Sequence, residues 1–283
     1  MPFDPETFRA ESRQSWDAAA AGWTSEREAM QRDALPVSQW IVQAAALEPG
    51  DTVLEVAAGL GDTGLLAAER VGAEGRVIIT DGSEEMVAAA LAHARESGAE
   101  NVDNRQMEAE WLDQPTASVD AVLSRWGYML LADPEAALRE ARRVQKPGGR
   151  LSIAVWDALD RNPWIGVIQR ELGARELVPP PEPGSPGMFA LADHDHVTSV
   201  VEDAGFGEVR VEPIEFAFHA RDADAWWEQN RTISISLKRA LDGLAPADHY
   251  ALRDAIDVGY GPFTAEDGSL TLPAVALGVS AEA

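Results

Sequence analysis

The chain of 283 residues is long enough for one large domain with a substantial core, and its hydrophobic content of 46% is ordinary for a globular protein. Its 48 acidic residues against 23 basic ones give a formal charge of −25, which disfavours binding to nucleic acid and other polyanions. The absence of cysteine excludes disulfides, thiolate metal sites and thiol nucleophiles. Because the first residues lack the pattern of a signal peptide and no stretch has 18 consecutive apolar residues, we expect a cytoplasmic protein that does not insert into membranes.

The first part of the chain reads as an alternation of helices and strands. Two helices are predicted at its start, around 5–20 and around 36–47. After them, short apolar runs alternate with helical patterns, which is typical of βαβ units and a parallel sheet. Ser83, Asp133 and Asp193 are each placed to cap the start of a helix, and Gly98 is placed to end one. The five strands predicted here are 52–57, 76–80, 102–107, 119–124 and 151–156.

The pattern changes after the fifth strand. Residues 178–187, VPPPEPGSPG, predict a rigid loop before the helix that Asp193 caps. The run GEVRVEPIEFAF reads as a sixth strand, and a helical insertion over 222–258 separates it from a last strand near 274–280, so we expect an antiparallel pair at the end of the sheet. The fold class is therefore predicted to be α/β, with a Rossmann-like, doubly wound, mostly parallel seven-stranded sheet and helical lid segments at both ends of the chain.

A glycine-rich loop follows the first predicted strand. In VLEVAAGLGDTG, residues 53–64, Gly59, Gly61 and Gly64 have the G-x-G-x-x-G spacing that dinucleotide-binding loops use. Asp81 follows Gly61 by 20 residues, the interval expected of an acid that binds a ribose. A nicotinamide-dependent oxidoreductase is therefore one hypothesis for the function.

Two acids in this segment favour a different ligand. Asp62 stands at the start of a helix, where a pyrophosphate needs bare N–H groups and a positive field, and Glu55 lies near the end of the strand before it. In the alternative interpretation, Asp62 only caps the helix and points away from the cleft. If both acids face the cleft, the ligand carries positive charge together with a ribose, as S-adenosylmethionine does.

Longer segments carry a family resemblance. VLEVAAGLGDTG, VIITDGSEEM, RQMEAEWL and VDAVLSRWGYMLLADPEAALREARRVQKPGGRLSIAVW follow one another between residues 35 and 157. In order and spacing they resemble the class I S-adenosylmethionine-dependent methyltransferases, in particular a small-molecule branch similar to the ubiquinone/menaquinone C-methyltransferases. The resemblance implies S-adenosyl-L-methionine as the cofactor, S-adenosyl-L-homocysteine as its product, and a small-molecule acceptor.

The resemblance also implies roles for residues near the first two strands. Glu55 would hold the methionyl ammonium through water, and the backbone of Ala57, Gly59 and Gly61 would surround the methionyl part. Asp81 would bind both ribose hydroxyls, because the two oxygens of a carboxylate can accept from a vicinal pair.

Further roles follow for residues near the third and fourth strands. Gly82 and Met86 would line the adenine. Glu108 occupies the place where the family usually has Asp and would accept from the adenine amino group, while the Ala109 N–H would read a ring nitrogen. Ser124 would lie at the methyl-donor side.

The acceptor is indicated by tryptophans in segments that cover the cleft in this fold. Trp23, Trp126, Trp156 and Trp164 suggest a pocket for a flat or apolar molecule. Simple packing of the cap is an equal alternative for any one of them, and for Trp126 a place in the core is as well. SRWGYM after the fourth strand differs from the D/N-P-P-Y tetrad of nucleic-acid amino-methylation, and the missing cysteines argue against thiol-dependent arsenic methylation. His194 and His196 read as a helix start, so no metal site is predicted.

Three hypotheses remain open at this level: a methyltransferase of small molecules acting on O, N or C, the nicotinamide-dependent oxidoreductase, and a methyltransferase-like binding protein without turnover.

The chain is predicted to form a single domain, 1–283, with six parts. These parts are lid helices at 1–34, a cofactor-binding core at 35–157, a loop-rich cap at 158–192, a helix and sixth strand at 193–221, a helical insertion at 222–262 and a last strand at 263–283.

Overall fold

Seven strands pair into one sheet in the computed structural model, which describes residues 3–180, 182 and 184–283. Their order across the sheet is β3-β2-β1-β4-β5-β7-β6. β1 to β5 pair in parallel, and β7 runs antiparallel between β5 and β6. The doubly wound, mostly parallel α/β sheet is thereby confirmed. The strands are β1 Thr52–Glu55, β2 Arg76–Asp81, β3 Val102–Gln106, β4 Val119–Arg125, β5 Gln145–Trp156, β6 Gly207–Ala220 and β7 Leu270–Glu282.

Helices cover both faces of the sheet and bury its apolar side chains. The predicted caps are present: Ser83 accepts from the Met86 N–H, Asp133 from the Ala136 N–H and Asp193 from the His196 N–H. The predicted proline-rich loop 178–187 includes residues 181 and 183, which lie outside the described residues. The helices are α1 Pro5–Ala44, α2 Asp62–Val71, α3 Glu84–Glu96, α4 Pro134–Val144, α5 Pro163–Ala174, α6 His194–Asp203, α7 Ala223–Ile233, α8 Ile235–Asp242 and α9 Pro246–Tyr260.

Chain direction reverses in the sheet between β1 and β4. From β1 the chain winds outward to β2 and β3, and it then returns to place β4 on the other side of β1. In open α/β sheets the ligand crevice lies at the carboxyl ends of the strands beside such a switch point. The segments that meet there follow β1, β2, β3 and β4.

The start of the chain differs from its prediction as two helices. The structure has one helix, α1, of 40 residues, which continues through Pro36 and crosses the predicted boundary at 34/35. A proline inside a helix costs about 3 kcal/mol. Val37 and Ile41 follow it and are completely buried, and two such side chains contribute about 3–6 kcal/mol. Tertiary packing therefore outweighs the helix-breaking tendency of Pro36.

Two further observations concern the region after β5 and the character of the helices. The predicted cap at 158–192 contains α5, a regular helix that the proline-rich composition nearby obscures in the sequence. Among the described residues, no helix has both the length and the apolar character required to cross a lipid bilayer.

Candidate active site

The loop after β1 is a tight turn with an open backbone. Ala57, Gly59 and Gly61 all have positive φ, of 50°, 57° and 76°. A Cβ added at Gly59 would meet no atom within 4 Å, so this backbone faces free space. At Gly64 the reason for glycine is different, since a Cβ there would lie 2.4 Å from the Glu55 carboxylate. The loop leaves room for a ligand above it while α2 packs closely against the strand below.

Glu55 is buried beneath this loop. Its side chain accepts the Gly64 N–H at 2.8 Å, and only 1% of the residue is exposed. Burial raises the pKa of Glu55 to about 8, although the guanidinium of Arg125 and the Gly64 hydrogen bond favour its ionised form. Near neutral pH the carboxyl group is mostly protonated, and it fixes the start of α2.

Asp62 does not present a bare carboxylate to the cleft. The residue is buried, and it accepts from Arg27 Nε at 2.9 Å, with Arg125 Nη2 at 3.7 Å and His93 Nδ1 at 3.8 Å. Its negative charge is therefore balanced by the guanidinium groups of Arg27 and Arg125. The interpretation in which Asp62 draws a cationic ligand is wrong, and its side chain does not cap α2 either.

Asp81 joins the ends of two neighbouring strands. Its Oδ2 accepts the Gly59 N–H at 2.8 Å and its Oδ1 accepts the Ser83 N–H at 2.9 Å. Burial raises the pKa of Asp81, and these two hydrogen bonds oppose the rise. Each carboxylate oxygen has a further lone pair, so both can still accept from a ligand.

Two of the predicted adenine residues, Gly82 and Glu108, lie side by side. Glu108 follows β3 and its carboxylate lies beside Gly82, where an added Cβ would stand 3.3 Å from Glu108 Oε2. Met86, in the first turn of α3, is 1% exposed and packs with Leu60 of the glycine loop. Ala109, the residue after Glu108, is buried.

Four of the eleven buried side-chain polar atoms that lack a hydrogen-bond partner among the described residues lie around the end of β4. Among the described residues, the Ser124, Trp126 and Tyr128 side chains and Oε2 of Glu110 have no hydrogen-bond partner. A Cβ at Gly127 would lie 2.6 Å from both Ala57 Cβ and Ser124 Oγ, so the backbone there is closely surrounded. Most buried polar groups in proteins are paired, which makes these atoms candidates to bind polar groups of a ligand.

Helix α1 crosses the whole site and contacts each of these loops. Its residues 9, 13 and 17 are spaced by four, and 27 and 31 repeat that spacing, so all five lie on one face of the helix. These contacts are not predicted from the sequence, although the spacing of the polar residues is visible in it. The pairs are Arg9 with Glu110, Arg13 with Glu108, Asp17 with Ser83, Arg27 with Asp62, and Gln31 with Arg125.

The two predicted lid segments meet above the site. At Gly22 a Cβ would lie 2.5 Å from the carbonyl oxygen of Thr232, so α1 and α7 approach closely there. The indole of Trp23 donates to the Ile233 carbonyl at 3.2 Å and packs near Trp16 and Met86. Trp23 therefore lies on the side of the predicted cofactor residues.

The other three predicted tryptophans form a separate stack. Trp126 and Trp156 lie face to face, with ring centroids 4.2 Å apart, and Trp164 lies 4.8 Å from Trp156. Trp126 is half-buried, at φ 62°, whereas Trp156 and Trp164 are 4% and 8% exposed. Phe216 of β6 extends the stack at 6.0 Å from Trp126. The rings pack on one another, and Trp126 is the more exposed member of the three.

A surface depression of about 420 Å³ lies between α1 and β6, beside this stack. Buried Asp33 of α1 accepts the His219 N–H at 2.8 Å and His219 Nδ1 at 3.1 Å, which ties α1 to the edge strand. Phe216 belongs both to the lining of the depression and to the aromatic stack. The lining residues are Arg32, Asp33, Pro36, Glu215, Phe216, Ala217 and His219.

Comparison with known proteins gives matches to methyltransferases. A family model described as "Methyltransferase domain" matches residues 47–205. The chain is 30% identical to an arsenite methyltransferase of Halobacterium salinarum over 60% of its length and 40% of the relative's. It is 37% identical to the ubiquinone/menaquinone biosynthesis C-methyltransferase UbiE of Xanthomonas oryzae over 41% of its length and 46% of that relative's. The matched part spans less than half the length of either relative.

Solved structures share the fold over most of the chain. The YcgJ protein of Bacillus subtilis aligns with a TM-score of 0.56 at 20% sequence identity, covering 87% of this chain and 97% of its own. At that identity the likeness supports the arrangement of strands and helices and carries no information about a substrate.

Proposed function

The chain belongs to the methyltransferase domain family, whose methyl donor is S-adenosylmethionine, and we propose that it transfers this methyl group to a small, flat or apolar acceptor. The observation that carries the proposal is the position of Asp81. Its carboxylate bridges the loops after β1 and β2, and both of its oxygens keep a lone pair for the ribose hydroxyls. The glycine spacing that suggested a nicotinamide-dependent oxidoreductase lies within the segment that the methyltransferase family model matches, residues 47–205, which supports the methyltransferase instead.

The side chains and backbone groups of the site suit the different parts of this cofactor. Glu108 is an acceptor beside Gly82 for the adenine amino group, and the Ala109 N–H serves a ring nitrogen. The backbone of Ala57, Gly59 and Gly61 surrounds the space for the methionyl part. The Ser124 hydroxyl, which has no partner among the described residues, would pair with a polar group there. Glu55 would accept, as a neutral carboxyl group, from a water molecule that contacts the ammonium group, as the family resemblance implies.

The chain's contribution to the chemistry is orientation and exclusion of water. When bound, S-adenosylmethionine supplies a methyl group that its sulfonium already activates. Holding an acceptor in line with that group lowers the entropic part of the barrier. Helices α1 and α7 close over the site at Gly22 and Thr232, and the indoles nearby are apolar walls that exclude water.

The aromatic stack supports a flat or apolar acceptor. Trp126 directly follows the end of β4, and its ring continues through Phe216 to the depression between α1 and β6. Within the same proposal, Trp126 and Phe216 contact the acceptor, and Trp156 and Trp164 support them from behind. An arsenic substrate is disfavoured because the chain contains no cysteine to supply soft thiolate ligands. The formal charge of −25 similarly disfavours a nucleic acid.

Calorimetry and a methylation assay test the proposal. We expect the purified chain to bind S-adenosylhomocysteine and to ignore NADH. With S-adenosylmethionine and a panel of small phenols, amines and quinols, we expect S-adenosylhomocysteine to accumulate together with a product heavier by one methylene. Binding of S-adenosylhomocysteine without transfer to any acceptor would instead favour the methyltransferase-like protein without turnover.

A further inference from the structure

Arg13 lies outside the methyltransferase motifs, yet it contacts the acid assigned to the adenine. Its guanidinium donates from Nη1 to Oε1 of Glu108, which is 95 residues away in the chain. The other oxygen of that carboxylate, Oε2, is slightly the nearer to Gly82: a Cβ added there would stand 3.3 Å from Oε2 and 3.6 Å from Oε1. The two side chains are 43% and 27% exposed, so the pair lies at the mouth of the site.

Glu108 has one more rotatable bond than an aspartate would have at this position. Its carboxylate can therefore take up more positions, and most of them do not point to a fixed acceptor direction. A cation that holds one oxygen leaves the other in a defined place. The longer side chain and the arginine on α1 are thus complementary.

We propose that Arg13 is a positioning residue that fixes the Glu108 carboxylate to accept from the adenine amino group, and so sets the preference of the site for adenine. The inference rests on the proposed function, because it requires the adenosyl group to lie beside Gly82. Arg13 acts through Glu108 and has no contact of its own with the base in this proposal.

S-inosylhomocysteine is the probe for this preference. It carries a carbonyl oxygen in place of the adenine amino group, and a carboxylate cannot accept a hydrogen bond from that oxygen. We expect the wild-type chain to bind S-adenosylhomocysteine at least about 30-fold more tightly than S-inosylhomocysteine, since a site that pairs with an amino group rejects the analogue without it. Isothermal titration calorimetry measures both affinities without any acceptor.

Arg13→Ala is expected to reduce this ratio of affinities by about fivefold or more, while Arg13→Lys, which keeps the charge, restores part of it. Glu108→Gln should also reduce the ratio, and Arg13→Ala should add little in that background because both changes act on one interaction. The matched control is Arg9→Ala. Arg9 lies on the same face of α1 and pairs with the more buried Glu110 at 3.1 Å, so its loss tests whether loosening the helix by itself changes the ratio.

The outcomes separate the two proposals. If Arg13→Ala and Arg9→Ala weaken both ligands equally, Arg13 only anchors α1, and the inference is overturned. If Glu108→Gln leaves the ratio unchanged, Glu108 does not read the adenine, and the inference fails while cofactor binding stands. If the wild-type chain binds neither ligand, the proposed function itself fails.

Discussion

The Asp81 carboxylate accepts the N–H of Gly59 at 2.8 Å, so one hydrogen bond joins the end of β2 to the glycine loop after β1. Asp81 therefore has two tasks in the proposed site, to hold the loop and to bind the ribose. Both tasks belong to the carboxylate, and they can be separated by substitution.

Asp81→Ala is expected to weaken S-adenosylhomocysteine binding at least tenfold, or about 1.4 kcal/mol, because two ribose hydroxyls lose a charged acceptor. Asp81→Asn keeps an oxygen for the loop and should be affected less. The control is Asp103→Ala, which removes a carboxylate near the start of β3, where Asp103 pairs with Arg76. This variant should bind S-adenosylhomocysteine normally. Unchanged affinity of Asp81→Ala in calorimetry would show that the ribose lies elsewhere.

Glu55 gives the fold a pH dependence. Its folded pKa of about 8 lies above the ordinary value of 4.5, so between these two values the folded state binds a proton that the unfolded state has released. Stability is then highest at the acid end of this range and falls as the pH rises, by up to about 1.4 kcal/mol per pH unit. We expect Glu55→Gln, which cannot ionise, to remove this slope. Urea denaturation at pH 5, 6.5 and 8 measures the free energy of unfolding of both proteins. If this free energy falls with pH equally in the wild-type chain and in Glu55→Gln, Glu55 is not the group responsible.

Arg27→Ala should destabilise the chain by about 1–3 kcal/mol, because it removes a cation from the buried carboxylate of Asp62. The estimate is below that for a fully buried pair, since the Arg27 side chain is 30% exposed. Combining Arg27→Ala with Asp62→Asn should cost less than the sum of the single changes. Arg231→Ala, which breaks an exposed pair with Glu228 on α7, is the control and should cost about 0–1 kcal/mol. Equal losses for Arg27→Ala and Arg231→Ala would mean that the Asp62 cluster is not a buried ionic site.

The tryptophans of the aromatic stack differ in burial, so their removal should cost different amounts of stability. Trp156→Ala should lower the free energy of unfolding by about 3–5 kcal/mol, the usual cost of removing a buried indole. Trp126→Ala should cost less because that ring is half-buried, and it should leave the affinity for S-adenosylhomocysteine unchanged. Near-ultraviolet circular dichroism should lose the signal of the stacked pair in both variants. A larger loss of stability for Trp126→Ala would place that ring in the core.

Local patterns predicted the parallel sheet, the antiparallel end and three helix caps, because strand periodicity and capping depend on neighbours in the chain. The fusion of two predicted helices into α1 was not predictable in this way. Pro36 breaks a helix by its own propensity, and only the burial of Val37 and Ile41 in the core reverses that result.

The candidate site shows the same limit. The glycines and the spacing of Asp81 are local features, and the structure brings their loops together. The charge of Asp62 was misread because its partners, Arg27 and Arg125, lie 35 and 63 residues away in the sequence, and nothing near Asp62 shows that they balance it. The contacts of α1 are equally non-local. A row of polar residues on one face of a helix indicates that this face has a polar partner, but it does not identify that partner.

The length of α1 bears on how the cofactor enters and leaves. The eight residues of the helix after Pro36 are anchored in the core by Val37 and Ile41, and the 31 residues before it span the loops from Glu110 to Asp62. From Pro36 to Arg9 is a lever arm of about 40 Å at 1.5 Å per residue, so a bend of about 10° at the proline moves Arg9 by about 7 Å. Proline lacks the N–H that would stiffen the helix at that point. In the proposed site, a bend at the proline would therefore shift the α1 contacts of all these loops together.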